Sequence, residues 1–294
     1  DLSMKACKTW MAALIGACCA TAYAGDRLLA SGGVSTIEGA GGSGLVPWAT
    51  ITGNGSANQI GGVAFATRVQ MPSQYRLDVA GVAVGLYDRV ELSAARWTFG
   101  LADTVPDKSI EMKVFGAKIK VLGDAVYDQD RWMPQISVGA QYKINDDEAL
   151  VKSLGAKSSR GLDLYATATK VWLGGLAGRN VITTFTSRLT NANQFGLVGF
   201  GGPARDTHLL KLEGSVGVML RDDLVLGAEF RHKPNNLVTD DGTNQAMRED
   251  SAKDVYLAWF PCRGGSLTAA WVSMGNMVTK PSQNGWYFSG QLNY

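Results

Sequence analysis

Stretches of alternating apolar and polar side chains dominate the chain, with turn-rich joints between them. The clearest are 134–145, 209–220 and 224–233, each with one apolar and one polar face. Alternation with period two is typical of β-strands, whose successive side chains point to opposite faces. Strands of about ten residues suit a tilted crossing of the hydrocarbon core, whereas soluble β-sandwiches usually use shorter strands. The pattern predicts an all-β fold: a transmembrane, antiparallel, up-and-down β-barrel.

The number of strands follows from counting these segments. About thirteen occur from residue 45 onward, and bacterial single-chain barrels have an even number of strands. The segment 45–52 is predicted as a strand, and 34–38 is predicted as a further strand that precedes it. The barrel is therefore expected to have about 12–14 strands, with twelve if two weak segments do not span.

The joints differ in length. Short joints are predicted at 87–89, 174–179, 221–223 and 262–265, and long ones at 102–109, 146–160, 191–207 and 235–253. Outer-membrane barrels have short turns on the periplasmic side and long loops outside. The joint 123–133 is predicted to lie on the extracellular side.

In two segments, the alternation of polar and apolar residues shifts by one position halfway along. Polar residues move from one parity to the other within 90–101 and within 110–122. One extra residue in a strand reverses the facing of every residue after it. We therefore predict β-bulges at 94–95 and at Gly116, or an error in the assumed register.

Aromatic residues mark the ends of the segments, as expected for rings that settle at a membrane interface. The last strand alternates likewise, and its end resembles the recognition signal of the barrel-assembly machinery. We expect this strand to close the barrel against the first strand and to face lipid, because an open edge cannot be satisfied in a bilayer. Its lipid-facing residues are Trp286, Phe288, Leu292 and Tyr294. The other aromatics are Trp97, Phe99, Tyr142, Trp172, Trp259, Phe260 and Trp271.

The first residues have the features of an export signal. A basic start, a short apolar run and an Ala-x-Ala pattern ending at Ala24 predict a signal peptide over 1–24, with the true start at Met4. The barrel would then occupy 25–294, in the bacterial outer membrane. Acylation of Cys18 is an alternative to cleavage before Gly25. Cys262 would be the one remaining cysteine, which excludes an intrachain disulfide.

Composition limits the possible chemistry. A net charge of +2 and 18% charged residues argue against a nucleic-acid partner. The two histidines and one mature cysteine have no metal-ligand spacing, and no cofactor is expected. The glycine-rich stretch 39–44 has dinucleotide-site spacing, but a strand-like segment follows it, so a flexible turn is the better interpretation. His208 and Ser215 have opposite parity, so we predict no catalytic residues.

Charged residues on the non-lipid face are expected to line the lumen. Two interpretations remain open: the charges line a wet passage that weakly selects small solutes, or they pair across a narrow interior and seal it. The apolar loop 194–202 is expected to fold into the barrel mouth or form a hydrophobic entry site, with contact to the membrane surface as the alternative. The predicted lumen residues are Arg68, Lys143, Asp163, Arg188, Lys211, Glu213, Glu229 and Arg231.

Several blocks resemble a proteobacterial family known only as domain of unknown function 3034. They include GGVSTIEGAGGSGLVPWA, GVAVGLYDRVELS, GDAVYDQDRWMPQISVGAQYK, ANQFGLVGFGG, LRDDLVLGAEFRHKPNN and AWFP, and the resemblance covers nearly all of 25–294. It implies an exported, barrel-like outer-membrane protein and supplies no activity, ligand or catalytic residue.

From these features we expect a passive channel or small-solute transporter. Its expected partners are outer-membrane lipid, the barrel-assembly machinery and a small solute. A closed structural or adhesive barrel is the alternative. A membrane-embedded hydrolase that uses His208 or His232 ranks third.

Overall fold

Twelve antiparallel strands form a closed barrel. The computed structural model describes residues 29–101, 108–128, 130–239, 245–277 and 280–294. The predicted signal peptide and Cys18 lie outside these ranges. Two short strands, β1 (Val34–Ser35) and β2 (Gly41–Gly42), pair with each other apart from the barrel. The barrel strands are β3 (Ile60–Gln70), β4 (Arg76–Leu86), β5 (Val90–Gly100), β6 (Ser109–Leu122), β7 (Gln135–Asn145), β8 (Arg160–Leu176), β9 (Arg179–Thr190), β10 (Leu209–Arg221), β11 (Leu224–Arg231), β12 (Ala252–Cys262), β13 (Gly265–Ser273) and β14 (Asn284–Asn293).

The cylinder closes between its last and first strands. β14 pairs with β3 from Trp286 opposite Gln70 to Asn293 opposite Val63. Beyond that ladder, Gly62 and Tyr294 exchange two backbone hydrogen bonds of 2.8 Å each. Every barrel strand therefore has two neighbours, which satisfies the backbone groups that lipid could not.

The outer face is apolar around most of the barrel. In β7, β10 and β11 the apolar parity points outward and the polar parity points inward, as the alternation predicts. In β14 the exposed fraction of Trp286 is 58% and that of Phe288 is 55%, and Leu292 and Tyr294 are exposed as well. Such a face suits contact with acyl chains, and the fold is a transmembrane β-barrel.

In the part of the chain that the structure describes, helical structure is confined to the joints. A short helix, α1 (Glu148–Ser153), lies between β7 and β8, and 3-10 turns occur at Asn193–Gly196 and Gln245–Met247. No helix among the described residues has the length and apolar character needed to cross a bilayer.

The prediction that 34–38 and 45–52 are two further barrel strands is wrong. Every residue from 33 to 53 is buried, with no exposed alternate face. A spanning strand must turn one face to lipid, so an unbroken run of burial means that this segment lies inside the barrel. Its glycines and Pro47 also disfavour a regular strand.

The predicted bulges are also absent. β5 and β6 pair without interruption from Val90 opposite Ile119 to Gly100 opposite Ser109. What changes along these strands is the polarity of each face. Near one end Glu91 points inward, whereas farther along Trp97 takes the inward position and Arg96 is exposed outside. These strands therefore extend beyond the apolar belt, into a region with an apolar core and a charged exterior.

The same reversal of polarity explains why three aromatic residues were wrongly predicted to lie at the membrane interface. Trp97, Phe99 and Phe260 are buried inside the barrel. The other aromatics assigned to strand ends are exposed on the outer face, as expected for interfacial rings. These are Tyr142, Trp172, Trp259, Trp271 and Trp286.

The barrel has two distinct ends. The turns at 87–89, 177–178, 222–223 and 263–264 lie at one end, which we name the short-turn end. The other end, named the long-loop end, carries the long joints between β7 and β8, β9 and β10, and β11 and β12.

The joint after β6 lies at the short-turn end, contrary to the prediction for 123–133. Strand alternation puts it there, beside the turn between β4 and β5. Lys120 ties the two joints together, at 2.7 Å from Asp88 and 2.8 Å from Asp124.

Candidate functional site

The lumen is occupied by the chain's own residues 33–53, named here the plug segment. Leu29 and Ala30 lie beside Val126 and Asp222 in the wall of a cavity of about 270 Å³ at the short-turn end. Ile60 begins β3 at that same end. The plug segment therefore enters and leaves the barrel through one mouth.

Within the plug segment the backbone folds back on itself. β1 and β2 pair at Val34–Gly42 and Ser35–Gly41, and Ile37 N donates to Gly44 O over 2.8 Å. Only glycine fits at position 42, because the Cβ of any other residue would lie 2.2 Å from Val46 O. The glycine-rich sequence thus permits a compact insert rather than a nucleotide loop.

Several plug backbone groups bond to side chains of the barrel wall. Glu91 Oε1 accepts a hydrogen bond from Gly41 N (3.0 Å), and Oε2 accepts one from Thr52 N (2.8 Å). Lys118, directly opposite Glu91 on β6, lies 2.8 Å from that carboxylate and donates to Trp48 O over 3.0 Å. Buried backbone groups need hydrogen-bond partners. The Glu91–Lys118 pair supplies to the plug segment the hydrogen bonds that a neighbouring β-strand would otherwise make.

Other wall side chains act in the same way. Glu229 Oε2 accepts from Leu45 N (2.8 Å) and from Val46 N (2.6 Å). Three strands farther round the barrel, on β14, Gln291 Oε1 accepts from Ser35 N over 2.7 Å. The plug segment is therefore held from several strands at once, by polar contacts.

The deepest contact is a cluster of six charges. Glu38 of the plug segment lies 2.5 Å from Lys143, 2.8 Å from Arg231 and 3.6 Å from Arg188. The wall adds two carboxylates: Asp163 lies 2.7 Å from Lys143, and Glu213 pairs with both arginines. Three acids meet three bases, so the charges balance.

All six side chains are almost completely buried, with at most 2% of each residue exposed. Burying a charge is costly, and the attraction between partners offsets this cost only if each charge is matched. The cluster is therefore sensitive to the loss of any member, and Glu38 is the member that the plug segment supplies.

Six of the eight predicted lumen residues lie inside the barrel in this arrangement: Lys143, Asp163, Arg188, Glu213, Glu229 and Arg231. Lys211 has inward parity but is half-buried, near the long-loop end. Arg68 was assigned to the wrong face. Val63, Phe65, Thr67 and Val69 occupy the inward positions of β3, so Arg68 points outward, where it pairs with Asp78 over 2.6 Å.

Three of the buried charges in contact with the plug segment were not predicted. Glu38 lies in a segment that was interpreted as a strand. Glu91 and Lys118 lie in strands where a false bulge was assumed. A continuous register would have placed Glu91 and Lys118 on the inward face, opposite each other.

The apolar loop after β9 closes the other mouth. Residues 191–202 are buried throughout, and Phe195, Leu197 and Val198 join the apolar core. Phe195 O accepts from Lys143 over 3.2 Å, and the Arg231 guanidinium lies 4.6 Å from the Phe195 ring centre. The alternative prediction, contact of this loop with the membrane surface, is therefore wrong.

A further buried ion pair, with Lys233 Nζ 3.9 Å from the Glu249 carboxylate, fixes this loop. Gln194 N donates to both carboxylate oxygens of Glu249 (3.0 and 2.9 Å), and Lys233 donates to Gln194 Oε1 over 2.8 Å. Burial raises the pKa of Glu249 to about 7. Burial lowers the pKa of Lys233 to about 8.

The two histidines lie outside the barrel wall. His208 Nε2 donates to Leu162 O over 2.7 Å, and His232 packs edge-to-face on Phe230 at 4.8 Å. Across the described ranges, no three His, Cys, Asp or Glu side chains are grouped as a metal site.

Comparison with solved structures matches this fold. A NanC porin aligns with a TM-score of 0.51 and 10% identity, over 78% of this chain and 98% of the porin. Omp33 of Acinetobacter baumannii aligns with a TM-score of 0.44 and 9% identity, over 81% of this chain and 100% of that one. An outer membrane channel from Pseudomonas putida F1 gives 0.40 and 11%, over 84% and 96%. At 10% identity, the likeness to the NanC porin shows the fold alone.

A search of curated proteins finds no match. One family model, described as protein of unknown function (DUF3034), matches residues 31–291. That range contains the plug segment and all twelve barrel strands up to Gln291. The chain therefore belongs to the DUF3034 family.

Proposed function

We propose that this protein is an outer-membrane channel for small solutes, closed by its own plug segment. The observation that carries this proposal is a charged lumen filled by a segment that enters and leaves through one mouth. Such a segment can withdraw without being threaded through the barrel. Short turns face the periplasm in outer-membrane barrels, so the plug segment would move on the periplasmic side.

The nature of the contacts supports reversible closure. Beside the apolar contacts of Ile37, Leu45 and Val46 with the core, the plug segment is held by hydrogen bonds and ion pairs that water can replace when the lumen fills. Apolar side chains of similar volume usually fill a barrel interior with equal or greater stability than buried ion pairs. Retention of charges in the lumen therefore favours a passage that is wet at some stage. Mixed signs suggest weak selection by charge.

A permanently closed structural barrel is the second candidate. It is favoured by the complete matching of the six charges around Glu38, which leaves this cluster with no net charge. The two candidates differ in one respect: movement of the plug segment is essential to the first and absent from the second.

Locking the plug segment with a disulfide tests the proposal. Ser43 Oγ lies 2.9 Å from Ser215 Oγ, so cysteines at these positions can bridge the plug segment and β10. The variant S43C/S215C, made with Cys262→Ser, is inserted into planar bilayers and compared with C262S alone. The channel proposal predicts conductance for C262S, none for the oxidised double variant, and recovery after reduction.

The control is S43C in the same background, which cannot form the bridge and should conduct under both conditions. A C262S protein that is verifiably inserted and silent, with or without reductant, would refute the channel and leave the closed barrel.

A further inference from the structure

A cleft separates β10 from β11 at the long-loop end. The ladder between these strands ends at Glu213 opposite Arg231, and one further bond, from His232 N to Leu212 O (3.1 Å), continues it. β10 goes on pairing with β9 as far as its first residue, Leu209. In the described part of the chain, this end of β10 therefore has a ladder neighbour on one side only. Its free side borders a cleft of about 590 Å³.

Three cationic side chains line this cleft. Arg205 belongs to the joint before β10, Lys211 to β10 itself, and Arg248 to the joint after β11. Among the described residues, none of the three forms a salt bridge, and no Asp or Glu lines the cleft. Glu249 is close enough to Lys211 to interact electrostatically, but its carboxylate is buried and accepts hydrogen bonds from Gln194 N. Like charges repel, and a bound anion would relieve this repulsion.

The cleft is formed without a ligand. Ala204 N donates to Asn236 O over 3.1 Å, which ties the two joints together. The side chain of Asn235 holds both backbone groups of Glu249, since Oδ1 accepts from Glu249 N (2.6 Å) and Nδ2 donates to Glu249 O (3.1 Å). Ala204 and Glu249 each adjoin an arginine of the cleft. The backbone that carries these cations is therefore ordered beforehand, which lowers the entropy cost of binding.

The cleft adjoins an apolar groove on the outer face of the barrel. Leu210 is 62% exposed and lines both the cleft and this groove, whose volume is about 550 Å³. Small side chains at two positions of the groove leave room for an acyl chain between larger neighbours. The groove follows a row of residues that lie opposite one another across β6 to β10: Ala117, Ala140, Leu164, Leu189 and Leu210.

The combination of cleft and groove selects the occupant. Long loops lie outside in outer-membrane barrels, so the cleft lies at the level of the outer-leaflet headgroups. Arginine forms two parallel hydrogen bonds with a phosphate, and lysine adds a point charge. A phosphate monoester carries about −1.5 to −2 charge near pH 7, so it suits three cations better than a singly charged diester. A free anion would use the cleft alone, and a neutral lipid the groove alone.

We propose that Arg205, Lys211 and Arg248 bind the phosphate monoester of an outer-leaflet lipid, one acyl chain of which lies in the groove that ends at Leu210. The bound lipid fills the gap between β10 and β11 at the long-loop end. This inference rests on the facing and orientation of the barrel and not on transport.

Native mass spectrometry of the refolded full chain, released from micelles of a neutral detergent, tests the site. The micelles contain phosphatidic acid or phosphatidylcholine with the same acyl chains. We expect one molecule of phosphatidic acid to remain bound to each barrel. Its half-saturating concentration should be at least about tenfold below that of phosphatidylcholine, the factor expected from one hydrogen bond between charged groups.

Paired variants locate the binding. R205Q/R248Q removes two exposed cations of the cleft and should abolish the preference for phosphatidic acid. The control K152Q/K157Q removes two exposed cations at the same end of the barrel but outside the cleft, and should bind like the wild type. If R205Q/R248Q does not fold, R205Q and R248Q are each compared with K157Q.

A further variant distinguishes a lipid from a free phosphate. A140F fills the groove on the outer face and leaves the cleft unchanged. It should weaken the binding of phosphatidic acid, whereas any binding of glycerol 3-phosphate, which has the headgroup without acyl chains, should stay the same.

Three results would overturn the proposal. Equal retention of phosphatidic acid and phosphatidylcholine would mean that the cleft does not recognise phosphate. Equal losses in R205Q/R248Q and K152Q/K157Q would mean diffuse attraction to a basic surface. Glycerol 3-phosphate that binds as tightly as phosphatidic acid, with neither affected by A140F, would mean that the ligand is a free anion. None of these results depends on conductance, so the channel proposal stands or fails separately.

Discussion

Replacing Glu38 by glutamine removes the charge that joins the plug segment to the barrel wall. The variant keeps the shape of the side chain and its capacity for hydrogen bonds. It leaves Lys143, Arg188 and Arg231 with two carboxylates instead of three, and therefore leaves one positive charge unmatched in the buried cluster.

The burial of the cluster determines how much stability the E38Q variant loses. Removing one partner from a buried ion pair costs about 3–5 kcal/mol, because an uncompensated charge stays in a dry interior. That range lowers the equilibrium constant for docking of the plug segment by about two to four orders of magnitude. We expect E38Q to lose stability by this amount and to conduct more than the wild type.

Denaturant unfolding in micelles measures the stability change, with E148Q as the matched control. Glu148 forms an exposed ion pair with Lys152 at 2.5 Å, and such pairs contribute at most about 1 kcal/mol. The compensating variant E38Q/K143Q restores neutrality and should be more stable than the sum of the two single changes predicts. An E38Q protein no less stable than E148Q, or strict additivity of the two changes, would refute the account of the cluster.

Three other predictions follow from the same arrangement. Leu212→Arg, on the lipid face, should cost about 2–4 kcal/mol in unfolding from lipid vesicles, whereas Arg68→Leu should cost less than about 1 kcal/mol; equal costs would contradict the assigned facing. The raised pKa of Glu249, about 7, means that the folded state binds the extra proton, so unfolding free energy should fall as pH rises from about 4.5 to 7. Glu249→Gln should reduce this slope, and an unchanged slope would exclude Glu249 as a source of it. Phe195→Ala should cost about 3–5 kcal/mol and expose the loop to protease; unchanged cleavage would mean that the loop does not close the mouth.

The outer surface of the barrel could be predicted because its environment is uniform. Lipid requires an apolar side chain at every second position, so β7, β10 and β11 carry a clear alternation in the sequence. The fallback of twelve strands is confirmed.

The interior could not be predicted in the same way. The plug segment is surrounded by protein on all sides. A segment without an exposed face shows no regular alternation of polar and apolar residues from which its position could be predicted. Glu38 meets Lys143 and Arg231 across more than 100 residues of sequence, and local patterns contain no trace of such contacts. In β5 the inward face changes from Glu91 to Trp97, so polarity alone gave the wrong facing.

Hydrogen exchange of the plug segment tests the central claim most directly. The amides of Gly41, Leu45, Val46 and Thr52 lie in or beside irregular backbone but donate to buried carboxylates of the wall. For the wild type in lipid, mass spectrometry should find peptides from 33–53 as slow to exchange as those from the barrel strands. Exchange of these peptides at the rate of an unstructured chain, with the strands still protected, would mean that the plug segment does not occupy the lumen.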